Sequence, residues 1–214
     1  MLKLRKGEAV KYLSHRDVIR AFEMALRRAK VPIAFSEGFN PRPKMSFGNA
    51  IGVGVTSEDE RIQLDIAVPC EPAEIMDMLN IKLPPGIQVT EAEFVQEGVK
   101  SPISRLNASE YLFTAAKDGC TLDAVQAALA AMLASGEIRV IREKEGSRKE
   151  IDIRQYLLDA SAVESEDGSI VMDISLGSGD TGGAGTRDFV KAITKLLPEI
   201  QVTSICRKRQ FQNL

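Results

Sequence analysis

The sequence predicts an α+β fold: two ferredoxin-like βαββαβ sandwiches in tandem, each an antiparallel sheet with two helices on one face. Three observations lead there. The chain has 214 residues, which suits two domains of about 100 residues each. Its content of 44% hydrophobic and 27% charged residues is that of a globular protein. Finally, a series of strand-like and helix-like segments runs through once and then recurs after a Ser/Pro/Gly-containing link, EGVKSPISRLN, from Glu97 to Asn107. The expected domains are residues 1–98 and 108–214. The recurrence lies in element order, with no residue-level repeat.

Each element has its own signal. LKLRKGEAVKYL alternates apolar and polar residues around an internal Gly and reads as a strand or tight hairpin. SHRDVIRAFEMALRRAK follows as a helix, with Ser14 and Asp17 at capping-box spacing and Asp in place of the usual Glu. Val18, Phe22, Ala25, Leu26 and Ala29 share one helical face, Arg16, Arg20 and Arg27 another, and Pro32 stops the helix. Ile33 to Gly48 is a long loop or strand. RIQLDIAV, Arg61 to Val68, alternates as a half-buried strand. EPAEIMDMLN, Glu71 to Asn80, is a short helix with Pro near its start and acids in its first turn, ended by LPPG. IQVTEAEFV, Ile87 to Val95, is a strand.

In the second half EYLFTAA, Glu110 to Ala116, is a strand, and TLDAVQAALAAMLAS is an Ala-rich helix with Thr121 as N-cap. EIRVIRE, Glu137 to Glu143, is a strand, followed by a charged stretch, EKEGSRKEIDI. LLDASAVES and SIVMDIS flank the turn EDGS as a hairpin. The Gly-rich run GSGDTGGAG leads into a helix from Arg187 to Leu197, and Ile200 to Cys206 closes the chain as a strand.

Several classes of function are excluded. No apolar run approaches the roughly 18 residues of a membrane span, and the charged opening lacks the apolar core of a secretory signal. A cytoplasmic location and no membrane contact are expected. Cys70, Cys120 and Cys206 lie far apart without a CxxC pair, and read as buried free thiols. With His15 the single histidine, no metal site and no cofactor are expected.

Charge is polarised along the chain. Residues 1–48 hold eleven Lys and Arg against four Asp and Glu, whereas residues 49–100 hold three against ten. A local excess of this kind marks an anion-facing surface, unless the two halves neutralise each other on folding. Within the basic region, IAFSEGFNPRPKMSFG concentrates Gly, Pro, Arg, Lys, Ser, Asn and aromatic residues beyond the needs of a turn. Arg16, Arg20 and Arg27 on the helix, with Arg42 and Lys44 on this Pro-stiffened segment, are candidate phosphate contacts. Phe39 or Phe47 is a candidate base stacker, against core packing for both, and Glu37, Asn40 and Ser46 complete the candidate surface.

Other motifs are weaker. Gly177, Gly179 and Gly182 satisfy GxGxxG, but parallel βαβ units and a following acid are absent, so a dinucleotide site is rejected. Gly179, Gly182 and Gly183 remain candidates for presenting amides to a phosphate, the alternative being a hairpin-to-helix connection. PKMSFG brushes against the lysine signature of class I aminoacyl-tRNA synthetases, without its companion motif or sufficient length. His15 beside Ser14 and Asp17 does not form a catalytic triad at that spacing, and its catalytic use is confined to acid/base chemistry in RNA cleavage.

YLSHRDVIRAFEMALRRAKVPIAFSEGFNPRPKMSFG followed by GVTSEDERIQLDI resembles the radical-SAM-linked protein family, a bacterial domain of unknown function found alone or fused behind a radical SAM enzyme. The resemblance is specific over roughly residues 1–100. It singles out Ser14, His15, Asp17, Glu37, Gly38, Asn40, Pro41, Pro43, Lys44 and Ser46, and places a turn at S-E-D-E. It implies an accessory or substrate-binding role beside a radical SAM protein, in RNA modification. The chain lacks CxxxCxxC and is not itself the radical SAM catalyst. The expected function is a non-enzymatic RNA-binding or substrate-presenting module. The alternatives are a metal-independent endoribonuclease using His15, similar to CRISPR-repeat endoribonucleases, and a protein–protein adaptor.

Overall fold

A computed structural model describes residues 1–96, 101–144, 146–179 and 182–213. The chain divides into two compact units, Met1–Leu106 and Asn107–Leu214. Both are mixed α+β with antiparallel sheets, and the described residues hold four α-helices.

The first unit runs β1 (Leu2–Lys6), α1 (His15–Ala29), β2 (Met45–Phe47), β3 (Thr56–Leu64), α2 (Pro72–Asn80) and β4 (Ile87–Ala92). Its spatial strand order is β2-β3-β1-β4, each pairing antiparallel. The apolar residues of β1 alternate inward, so Leu2 and Leu4 meet Ile62 of β3 and Val89 of β4 beneath Phe22 and Leu26 of α1 and Ile75 and Leu79 of α2. Phe22, Ile62 and Leu79 have no exposed surface. Truncating one of them to Ala costs about 3 kcal/mol or more.

The capping box of α1 forms as its spacing predicts: Asp17 N–H donates to Ser14 Oγ and Ser14 N–H to the Asp17 carboxylate. The helix ends before Pro32, at Lys30 in the left-handed region (φ 54°), where Val31 N–H donates to the Leu26 carbonyl.

Two features of this unit escape the binary pattern. β3 begins at Thr56, so Ser57 to Glu60 lie in a strand where a turn was expected. Ser57 and Asp59 are buried there, Asp59 in an ion pair with Arg61. Lys6 is buried as well, its ammonium donating to the carbonyls of Lys11 (2.9 Å), Leu13 (3.1 Å) and Val55 (3.2 Å). At the open edge of β4, the side-chain amide of Asn80 accepts from Val89 N–H (2.8 Å) and donates to its carbonyl (2.9 Å). A helix end thereby covers backbone groups that an edge strand otherwise leaves for another chain.

The second unit runs β5 (Ala108–Ala115), α3 (Leu122–Ala134), β6 (Arg139–Lys144), β7 (Ser147–Asp152), β8 (Leu157–Glu164), β9 (Ile170–Gly179), β10 (Gly182–Gly183), α4 (Thr186–Leu196) and β11 (Val202–Phe211). The sheet order is β8-β9-β5-β11, with β10 continuing the β8 edge at the end of β9. Phe113 and Phe189 pack with ring centroids 4.7 Å apart, among Met172, Ile174, Leu129 and Ile193. The charged stretch after β6 is itself a strand: β6 and β7 pair as a separate ribbon, turning through Gly146 at φ 82°.

Candidate nucleic-acid interface

The segment Ile33 to Gly48 is a β-arm rather than a loop. Ile33 bridges Ile66, Phe35 bridges Pro43, and β2 pairs with β3 through Met45, Ser46 and Phe47 opposite Leu64, Gln63 and Ile62. Within the arm Lys44 N–H donates to the Ala34 carbonyl (2.8 Å) and Ser36 N–H to the Arg42 carbonyl (2.9 Å). Arg42 N–H donates in turn to Ser36 Oγ (3.0 Å). Glu37, Gly38, Phe39, Asn40 and Pro41 form the exposed tip, with Gly38 at φ 121°. Phe39 is as exposed as in an unfolded chain, at 106%.

Strand alternation sorts the arm's side chains. Pro43 is buried, and Met45 and Phe47 pack against the core, so Arg42, Lys44 and Ser46 are carried to the opposite side of the sheet, where all three are exposed. Phe47 sits edge-on to Phe22 (centroids 6.2 Å) and to His15 (5.6 Å). Its ring is a packing element, so of the two candidate rings Phe39 is the one exposed for stacking.

His15 opens α1, half-buried, with its ring against Phe47. The neighbouring Asp17 carboxyl is held below the usual carboxylate range by the Ser14 hydroxyl (2.6 Å) and then by Ser14 N–H (3.1 Å). Arg16, Arg20 and Arg27 project from α1 along one exposed stripe, on the side of the unit away from the sheet. Arg42 and Lys44 therefore do not converge with them. The structure presents two basic surfaces instead of one cleft.

The opposite charges of the two halves neutralise each other only in part. Lys3 pairs with Glu91 (2.7 Å) and Arg5 with Glu58 (2.9 Å), whereas Arg61 pairs with Asp59 inside the acidic half. Among the described residues none of Arg16, Arg20, Arg27, Arg42 and Lys44 is engaged in an ion pair. Arg28 and Lys30 at the end of the same helix are likewise in no ion pair among the described residues, so the cations left over include those the spacing had marked without being confined to them.

The Gly-rich run is arranged differently. Gly179 and Gly182 are register partners, as are Ser178 and Gly183. Residues 180–181 of the GxGxxG stretch lie outside the described residues. At the start of α4 the buried Asp188 carboxylate accepts from Gly185 N–H (2.8 Å) and from Arg142 Nε (3.1 Å) and Nη2 (2.5 Å). Arg142 Nη2 also donates to the Gly183 carbonyl (2.5 Å), and its pairing with Asp188 pushes the guanidinium pKa further up. A carboxylate of the chain already stands where an anion would bind. Arg142 and Asp188 gave no sequence signal beyond an acid in a helix's first turn.

Among the described residues no group of three or more His, Cys, Asp and Glu is placed to hold a metal ion. No helix among them is long and apolar enough to cross a membrane. Cys70, Cys120 and Cys206 are free thiols of intermediate burial rather than fully buried.

No curated protein matches the chain. Among solved structures, a chain from the crystal structure of a Cbf5-Nop10-Gar1 complex aligns with 97% of this chain at a TM-score of 0.56 and 11% identity. This chain spans about half (48%) of that one, and the likeness is one of fold. The family model described as "Uncharacterized protein conserved in bacteria (DUF2344)" matches residues 1–184, a range that takes in the basic helix, the arm and all of the Gly-rich run but Gly185. The chain belongs to this family.

Proposed function

We propose that the protein is an accessory RNA-binding or substrate-presenting module that works beside a radical SAM enzyme in RNA modification. The observation that carries the RNA reading is the arm: a fully exposed Phe39 at its tip, with Arg42 and Lys44 exposed and in no ion pair among the described residues. Phosphate contact needs unengaged cations, and base stacking needs an exposed ring. The radical SAM partner rests on the sequence resemblance of residues 1–100. The strand orders β2-β3-β1-β4 and β8-β9-β5-β11 support reading each unit as ferredoxin-like, β6–β7 being an insertion in the second.

The test is retention of labelled single-stranded and hairpin RNA across a salt series. Wild type is expected to bind with affinity falling steeply with salt, and Arg42→Ala with Lys44→Ala to lower the logarithmic salt slope by about 2. Equal retention by that variant at low salt overturns the site. Cleavage of the RNA by wild type but not by His15→Ala would replace the reading with an endoribonuclease. Co-elution with the radical SAM protein without any RNA retention would replace it with an adaptor.

A further inference from the structure

α1 and α2 lie side by side over the sheet of the first unit, and each buries one stripe in its core: Val18, Phe22, Ala25 and Leu26 from α1, Ile75 and Leu79 from α2. A helix turns by about 100° per residue, so the side chains opposite those stripes follow from the numbering. In α1 they are Arg16, Arg20, Met24 and Arg27, all exposed, with Met24 at 55%. In α2 they are Ala73, Glu74 and Asp77, continued past the helix end by Ile81, which is 75% exposed. One outward face is basic, the other acidic, and each carries a large apolar side chain.

These faces are not neutralised within one copy. Among the described residues none of Arg16, Arg20, Arg27, Glu74 and Asp77 is in an ion pair, although Glu74 accepts from the Cys70 thiol (3.2 Å). Of the two acids of α1, Asp17 is held by Ser14 in the capping box and Glu23 is half-buried. The sequence of α2 contains no Lys, Arg or His, and Lys82 follows it. A nucleic acid laid on this surface would gain from the arginines, but Glu74 and Asp77 would repel it and Met24 and Ile81 would find no apolar partner. Met and Arg are residues enriched where proteins meet.

The surface complements itself. Because neighbouring strands in the order β2-β3-β1-β4 are all antiparallel, α1 and α2 run antiparallel to each other. A two-fold axis running along the helices lays α1 of one copy on α2 of the other, and the reverse, which is the isologous arrangement of a closed dimer. Arginines then face Glu74 and Asp77 in both contacts, and Met24 and Ile81 are covered.

We propose that the protein forms a two-fold dimer through this helical face, the basic stripe of α1 in each copy docking on the acidic stripe of α2 in the other. Exposed ion pairs each contribute little and are screened by salt, so the charges select the partner and its register, and the dimer is weak and salt-sensitive. Arg42 and Lys44 lie on the other side of the sheet and stay open.

Sedimentation velocity on the full chain over a concentration series tests this. Wild type should pass from monomer to dimer, with a dissociation constant at least tenfold higher at about 0.5 M than at about 0.05 M salt. Arg20→Glu with Arg27→Glu, and separately Glu74→Arg with Asp77→Arg, should each be monomeric throughout, because like charges then face each other. An equimolar mixture of the two variants should dimerise again, since both contacts regain opposite charges with the signs of one exchanged. That recovery also shows both variants to be folded. Wild type monomeric at every concentration, a dimer that survives either reversal, or a mixture that stays monomeric would each overturn the proposal. A monomeric wild type whose RNA retention is lost with Arg20→Glu and Arg27→Glu would assign the α1 stripe to RNA instead. Arg42→Ala with Lys44→Ala should leave dimerisation unchanged, so the dimer and the arm fail separately.

Discussion

The arm at residues 33–48 and the Gly-rich run at 177–185 both look like anion sites in sequence, and the structure uses their polar groups in opposite ways. In the run, the amide at the start of α4 is taken by Asp188, and Arg142 closes over that carboxylate. In the arm, backbone groups pair across Ala34–Lys44 and Ser36–Arg42, while the cationic side chains are left to solvent. A motif becomes a site when its donors remain after the fold has satisfied itself. Glycine spacing does not reveal that remainder, because the satisfying groups come from distant parts of the chain: Arg142 lies 46 residues before Asp188.

The largest effect that tests this contrast is on stability. Asp188→Ala removes the cap of α4 and strands Arg142, whose side chain is 42% exposed and can turn partly to water. A loss of about 2–3 kcal/mol is expected from the cap and the broken charge-assisted bonds together. Urea denaturation measures it, and RNA retention should be unchanged in the folded fraction. If Asp188→Ala instead left stability intact and altered RNA retention, the run would be the site and the contrast would invert.

Phe39→Ala is the converse experiment. The ring is fully exposed, so stability should stay within about 0.5 kcal/mol of wild type. RNA affinity should fall by about 1–2 kcal/mol, the contribution of one stacked base, and Phe39→Leu should restore little of it. Comparable loss with Leu and Ala separates stacking from apolar burial. Full recovery by Leu would instead point to a protein partner.

Gly38→Ala sharpens the arm further. No atom lies within 4 Å of the position a Cβ would take, so crowding is not at issue. The cost comes from the φ of 121° alone, about 1 kcal/mol. If the tip is preorganised, RNA affinity should drop by a few-fold with no change in salt slope, because no phosphate contact is removed.

Much of this was legible in the sequence where a local rule governs. Ser14 and Asp17 announced the start of α1 correctly because a capping box is a contact within four residues. The turn EDGS and the helices at 71–80 and 121–135 were legible for the same reason. The strand at Ser57 to Glu60 was not, because Ser57 and Asp59 are buried, the latter paired with Arg61, and an apolar-alternation pattern cannot register polar residues facing inward. β7 was hidden by charges on an exposed ribbon, although EGS between Val140–Ile141 and Ile151–Ile153 carried a hairpin signal. The candidate cations were identified individually, but their division between two faces follows from Met45 and Phe47 packing into the core, a tertiary fact.

The smallest expected effect compares the two helix starts that carry these regions. Asp17 and Asp188 each accept from the N-cap N–H of their helix, but Asp17 stands in solvent and Asp188 is buried under Arg142. The Asp17 carboxyl is depressed by the Ser14 hydroxyl and amide, so its folded pKa lies below its unfolded one near 3.8. A depressed carboxyl contributes stability that is present above the unfolded pKa and is lost as pH falls through the folded pKa. The Asp17 contribution should thus be intact at pH 5 and above and decline below about pH 4. Comparing urea midpoints of wild type and Asp17→Asn between pH 6 and pH 2.5 reads it: the variant should be the less stable at pH 6, with the difference closing toward pH 2.5. The helix start remains capped by Ser14 in the variant, so the His15–Phe47 contact and RNA retention should persist. A difference that grows on acidification would show that the Asp17 carboxylate is not the group that holds the start of α1.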